Sequence, residues 1–363
     1  MNKFLDNHNL LLVLIILFLF LTNSYFSLED SLKYGAADGY FYNIIAEKFP
    51  NFPNEKMSAH YAQRFIIPYL IGFISKVFFI ETILTFRILT ILLIFIIIYL
   101  FKNINEELGI NKITIFISSS ILVLNPYLFR FYLSNPTIII DLFFIIGFLG
   151  LILSIINNNK LFFYFFFIIG LISRQTALAF LISSFICVFF QKKKFFRKRD
   201  LIFLSLITII TFLFIKNISD QISFSNSFPW GSTTGIFYYL FCNFNIINLF
   251  IFLTLPLIGY FQIIFFYLLF KKNKKKIIFS EVFIFILSAS VIIIFQPILG
   301  GPLITGKNII RLSLLALPSI LILINCSNST NQISKNIFFF ILFLFISSLH
   351  PRFSKVLILF NIF

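Results

Sequence analysis

82-TILTFRILTILLIFIIIYLF-101 is a run of twenty residues in which Arg87 is the only charged side chain. At ~1.5 Å per residue, a helix of that length crosses the ~30 Å hydrocarbon core of a bilayer. The stretch 10-LLLVLIILFLFL-21 has the same character. Such runs recur along all 363 residues, of which 60% are hydrophobic and only 12% charged, with a mean hydropathy of +1.00. So few charges cannot clothe the surface of a soluble protein of this length. The sequence reads as an all-α, polytopic transmembrane protein, a single membrane domain over residues 1–363.

Apolar runs place spans near 9–27, 82–101, 113–130, 136–156, 161–173, 175–190, 201–216, 247–270, 277–296, 309–325 and 336–349. Residues 64–80 either cross the membrane or lie in its interface, so about 11–12 spans are expected. The two uncertain stretches are linked. If 64–80 spans, 161–190 is one long helix; if 64–80 lies flat, 161–190 is a pair. The break 170-GLISR-174 favours the pair, because a single helix of that length would reach about 45 Å, too long without strong tilt. In that arrangement 28–81, 131–135, the surroundings of Arg174, 217–246, 297–308 and the C-terminal tail lie outside.

The formal charge of +16 is gathered in short clusters between apolar runs, chiefly 191-QKKKFFRKRD-200 and 271-KKNKKK-276. That is the distribution expected of cytoplasmic loops, and contact with anionic headgroups accounts for it without nucleic acid. The long loop 217–246 carries neither Lys nor Arg beyond Lys216, as an exported loop should. Cys187, Cys242 and Cys326 are too scattered for a disulfide frame or metal site, and His8, His60 and His350 are equally dispersed. Lys3 followed by an apolar stretch without a small-residue cleavage site reads as an uncleaved signal anchor forming the first span.

The acids are unevenly placed. Glu29, Asp30, Asp38, Glu47 and Glu55 all precede residue 64, in the first outer loop, 28–81. The stretch 38-DGYFYNIIAEKF-49 alternates in a helical manner, with Asp38 at the position of an N-cap over an interfacial helix. A carboxylate just outside the bilayer, partly desolvated by loop and helices, has the character of a general base; Asp30 and Glu29 are the backup candidates. Arg64 opens the apolar segment that follows and is expected to snorkel. Arg87, Arg130, Asp141, Arg174, Glu281 and Arg311 lie at or within apolar segments, where ionisable groups are costly and are found paired or functional. The favoured topology puts Asp141, Arg130, Arg174 and Arg311 near the outer face with Asp38 and Arg64, leaving Arg87 and Glu281 elsewhere. No P-loop, dinucleotide fingerprint, HExxH, CxxC or GxSxG motif is present.

The segments 37-ADGYFYNIIAE-47, 61-YAQRFIIPYL-70, 125-NPYLFRFYLSNPTIIIDLFF-144, 169-IGLISRQTALAFL-181 and 301-GPLITGKNIIRLSLLALPSI-320 occur in an order and spacing that resembles the GT-C superfamily of membrane glycosyltransferases. The resemblance covers most of the chain up to about residue 325. It implies transfer of a sugar from a polyprenyl-phosphate carrier to a hydroxyl of a glycan, lipid or protein acceptor, on the extracytoplasmic face of a cell membrane such as the bacterial inner membrane. Asp38 matches the acid of the family's first outer loop, a base toward the acceptor or a ligand to a divalent metal such as Mg or Mn. Its flanking Ala37 and Gly39 depart from the metal-binding pattern. Asp141 is nearest to the family's second acid, and Arg174, Arg311 and then Arg64 match the carrier-phosphate ligands. Three other readings stand beside this one, one of them a sugar-lipid binding or scaffold protein without activity. A polysaccharide polymerase or ligase would place basic residues in the late loop, which 217–246 does not do, and a lipid-sugar transporter or flippase would show internal repeats, of which none is evident.

Overall fold

The computed structural model describes residues 8–23, 37–190, 195–223, 245–270, 280–299, 308–327 and 336–349. The segment 271–276, most of the loop 217–246, Glu29, Asp30, Cys242, His350 and the C-terminal tail lie outside the described residues. Among those described the protein is all-helical, and its one β-bridge joins Met57 to Ser223.

After α1 (His8–Leu21), the first loop folds into α2 (Ala37–Glu47), the short α3 (Ala59–Ala62) and α4 (Ile66–Phe78). Then come α5 (Thr82–Glu107), α6 (Lys112–Leu124), the short α7 (Phe129–Ser134) and α8 (Ile140–Ile156). A pair follows, α9 (Lys160–Ser173) and α10 (Leu178–Phe190), and then α11 (Lys198–Ile222). The remaining helices are α12 (Ile246–Gly259), α13 (Phe261–Phe270), α14 (Glu281–Leu299), α15 (Ile309–Ser313), α16 (Leu317–Ser327) and α17 (Asn336–Ser348).

Six stretches among the described residues are long and apolar enough to cross a membrane, or seven if the pair bent by 60° at Tyr260 is one span. The other expected spans are shorter apolar helices of 10–17 residues, below the ~20 residues a perpendicular crossing needs. The physical reason is clearest at 161–190. Arg174 takes an extended backbone, φ −151° and ψ 143°, and divides the stretch into two. The expected pair is therefore present. The helix α4 is equally short. Its 13 residues reach only about 20 Å, and it packs on α2, α5 and α9.

The outward faces confirm a membrane solvent. Along α5, Leu84, Ile88, Leu92, Phe95 and Tyr99 are exposed, and along α11 so are Ile202, Leu206, Ile209, Leu213 and Phe214. Apolar stripes of this length on the outside of helices are stable only against lipid. Inside, aromatic rings lock the bundle: Phe180 stacks on Phe144 with centroids 5.1 Å apart and lies 5.0 Å from Phe148.

Polar contacts sort the helix ends into two sets. At one end Arg130 donates to the carbonyl and Oγ1 of Thr22, each at 2.9 Å, and the Met57 amide donates to the Ile222 carbonyl at 3.0 Å. At the other end Lys160 Nζ lies 2.5 Å from Asp200, and Tyr164 donates to the same carboxylate at 3.0 Å. There too Glu281 accepts the backbone N–H groups of Phe195 and Phe196, both at 3.1 Å. Glu281 is thus a clamp on the 195–197 turn, and Arg87 is an exposed residue on the outward side of α5.

Helices α8 and α9 cross at close range. A Cβ at Gly147 would lie 3.0 Å from the Gly170 nitrogen and 3.1 Å from the Phe166 carbonyl, so the backbones touch. This approach carries the N-terminal turn of α8 to the C-terminal end of α9, where Asp141 and Arg174 meet. Gly147→Val is expected to part the two helices and to cost about 1–3 kcal/mol, seen as a lower melting temperature of the purified protein in detergent. An unchanged melting temperature would show that the helices do not approach this closely.

Candidate functional site

The five charged residues singled out in the sequence, Asp38, Arg64, Asp141, Arg174 and Arg311, meet at one end of the bundle. Each comes from a different part of the chain. Asp38 lies in the first turn of α2, Arg64 between α3 and α4, Asp141 in the first turn of α8, Arg174 in the break after α9, and Arg311 in α15. Asp38 is therefore inside its helix and not at the N-cap the sequence suggests; α2 already includes Ala37. Both carboxylates sit at helix N-termini, where the backbone dipole favours negative charge.

The network is continuous. Arg174 donates from Nη1 to Asp141 Oδ1. The other Asp141 oxygen accepts the Tyr132 hydroxyl at 3.0 Å and lies 3.5 Å from Arg311 Nε. Arg311 Nη2 donates to Asp38 Oδ2 at 2.8 Å. Arg64 Nη1 stands 4.0 Å from that same oxygen and donates to the Tyr42 hydroxyl at 3.1 Å. Arg311 also lies over the Phe131 ring, 5.6 Å from its centroid. Asp141 is 1% exposed, so this is an ion network removed from water, in which Coulomb terms are far stronger than at a surface.

Local packing explains the convergence. Gly39 follows Asp38, and a Cβ there would fall 2.3 Å from Thr137 Oγ1. Only glycine lets α2 lie so close to the 3₁₀ turn Pro136–Ile138 that leads into Asp141. Two further 3₁₀ turns, Gln175–Ala177 and Leu314–Ala316, follow close on Arg174 and Arg311. Irregular backbone within an apolar bundle is tolerated where it lines a polar site.

Burial pushes the Asp38 carboxyl upward, but the charges of Arg311 and Arg64, with the Arg311 hydrogen bond, prevail and hold it at about 2. Asp38 is thus an ionised carboxylate. Three guanidinium nitrogens in the network remain buried with no hydrogen-bond partner: Nε and Nη1 of Arg311, and Nε of Arg174. Buried donors without partners are rare and mark a place where an acceptor belongs. An anion satisfies this donor set better than a divalent cation does. Arginines surround both carboxylates, and among the described residues no three His, Cys, Asp or Glu side chains come together as metal ligands. The arrangement does not fit the Mg or Mn that the resemblance implies at Asp38.

Several neighbours were not foreseen. Tyr42 lies one helical turn after Asp38 on α2, a spacing that was readable. Tyr132, and the amide pair in which Gln175 donates to Gln63, had no signal beyond their closeness to charged residues. Arg130 is occupied with Thr22 and stands apart from the network. No protein-family model, curated protein or solved structure matches this chain.

Asp141→Asn leaves Arg174 buried without its counter-charge. It is expected to destabilise the protein by about 3–5 kcal/mol, the cost of breaking a buried pair from one side. In a double-mutant cycle with Arg174→Gln the two losses should fall well short of additive; additive losses would show that the pair does not interact. For Asp38, the folded pKa of about 2 lies below the ordinary carboxyl value of 3.8. Its ionisation therefore stabilises the fold above about pH 4, and that contribution is lost as pH falls through about 2. The melting-temperature gap between the protein and Asp38→Asn should narrow across that window, and a gap independent of pH would contradict the pairing.

Proposed function

We propose that the protein is a membrane glycosyltransferase that moves a sugar from a polyprenyl-phosphate carrier to an acceptor hydroxyl. The supporting observation is the convergence of Asp38, Asp141, Arg64, Arg174 and Arg311 into one buried network with guanidinium donors to spare. Transfer from a lipid phosphate needs a poorly hydrated place where departing negative charge is met by fixed donors. Arg311 and Arg174 suit that task, with Arg64 at the edge. It also needs an acceptor for the hydroxyl proton, and Asp38 is the network's outermost carboxylate. One displacement by the acceptor oxygen inverts the anomeric centre.

The opposite end of the bundle carries Arg197, Lys198 and Arg199 at the start of α11. The positive-inside rule favours a cytoplasmic position for that end, which supports an extracytoplasmic site for the arginine network. Arg174 lies buried in the break between the short α9 and α10.

The test is transfer of radiolabelled sugar from a polyprenyl-phosphate donor by the purified protein in nanodiscs. Asp38→Asn is expected to lower the rate by about 10²–10⁴-fold, the usual worth of a positioned base. Full activity in a well-folded Asp38→Asn variant would sink the assignment.

A further inference from the structure

Within the described residues, the network contains three arginines and two aspartates and so carries one net positive charge. It is buried, so this charge is poorly screened. The other groups facing Asp38 do not change the count near neutral pH. Tyr42 and Tyr61 have their hydroxyls pushed above the ordinary tyrosine range by burial, and His60 is held below its usual range. Arg311 is the hinge of the charge balance. The same guanidinium donates to Asp38 through Nη2 and keeps Nη1 and Nε without hydrogen-bond partners. An anion accepted by those atoms sits beside the Asp38 carboxylate and opposes the positive charge that keeps it ionised.

We infer that the network is matched in charge to a phosphodiester monoanion and stays neutral through the reaction because Asp38 receives a proton as the phosphate gains its second negative charge. This rests on the glycosyl-transfer reading above. The donor, a lipid phosphate esterified to a sugar, carries one negative charge and balances the network. In the transfer step the acceptor oxygen bonds to the anomeric carbon. The bond from that carbon to the phosphate oxygen breaks, and its electron pair stays on the phosphate, which becomes a monoester dianion. The hydroxyl proton passes to Asp38. The network has then gained one positive charge and the ligand one negative, so the site is balanced again. Base strength is therefore conferred by the ligand: Asp38 is a poor proton acceptor while Arg311 holds it alone, and a good one once phosphate shares Arg311.

The consequence is measurable without catalysis. Full-length protein in nanodiscs is titrated calorimetrically at about pH 7.5, where a phosphomonoester with a second pKa near ~6 is largely dianionic. The probes are farnesyl phosphate, its methyl diester and inorganic phosphate, in buffers of differing ionisation enthalpy. The diester is expected to bind with no proton exchanged. Farnesyl phosphate is expected to take up about one proton per site, so its affinity relative to the diester falls about tenfold per unit rise in pH. In Asp38→Asn the uptake should vanish while farnesyl phosphate still binds. Equal proton behaviour of the two lipids in the unaltered protein would overturn the inference even if the variant does not fold, and so would uptake that persists in Asp38→Asn. If neither lipid binds, or inorganic phosphate binds as tightly as farnesyl phosphate, the glycosyl-transfer reading itself falls, a result distinct from binding without proton uptake.

Discussion

Asp141 shared between Arg174 and Arg311 is the interaction on which the arrangement of this end of the bundle depends. A carboxylate 1% exposed inside an apolar bundle is tolerable only if cations and hydrogen bonds replace its water. Asp141 has both arginines and the Tyr132 hydroxyl. Meeting that requirement fixes where three chain segments end. α9 must stop at Arg174, α8 must begin just before Asp141, and α15 must deliver Arg311 to the same depth. The 3₁₀ turns beside each of them are the backbone's accommodation to that common meeting point. Gly147 and Gly39 supply the close approaches without which the side chains would not reach.

Much of this was legible because charges are scarce. With 12% of residues charged, each ionisable group inside an apolar run is conspicuous, and the five residues that meet were identifiable one by one. Their connections were not. Asp141 pairs with Arg174 across 33 positions and Asp38 with Arg311 across 273, and no local pattern encodes separations of that kind. Helix ends were also poorly legible. The alternation after Asp38 suggested a cap, whereas the helix already includes Ala37, and it packs on the Pro136–Ile138 turn. The linked choice over 64–80 and 161–190 could be posed from sequence, and the extended backbone of Arg174 gives its second half, the pair of helices in 161–190. Glu281 read as an intramembrane charge without a place; its partners are backbone amides, which carry no side-chain signature.

The two ends of the bundle use the same kinds of group to different effect. At the end bearing α11's first turn, Asp200 accepts from Lys160, Tyr164 and the Arg197 amide, and Glu281 accepts from two amides. Each acid there is satisfied by neighbours that also terminate helices, which is what a structural contact does. At the Asp38 end the acids are equally well paired, yet the arginines are not: Arg311 and Arg174 keep buried nitrogens without acceptors. Burying a guanidinium N–H unpaired costs about 1–3 kcal/mol or more, a cost that the pairing of Asp38 and Asp141 alone does not explain. The excess of donors, fixed in place by Asp38 and Asp141, is therefore better understood as preorganisation. The aspartates hold the guanidinium groups where they cannot relax away, and the donors left over are the observation on which the proposal of an anion site rests.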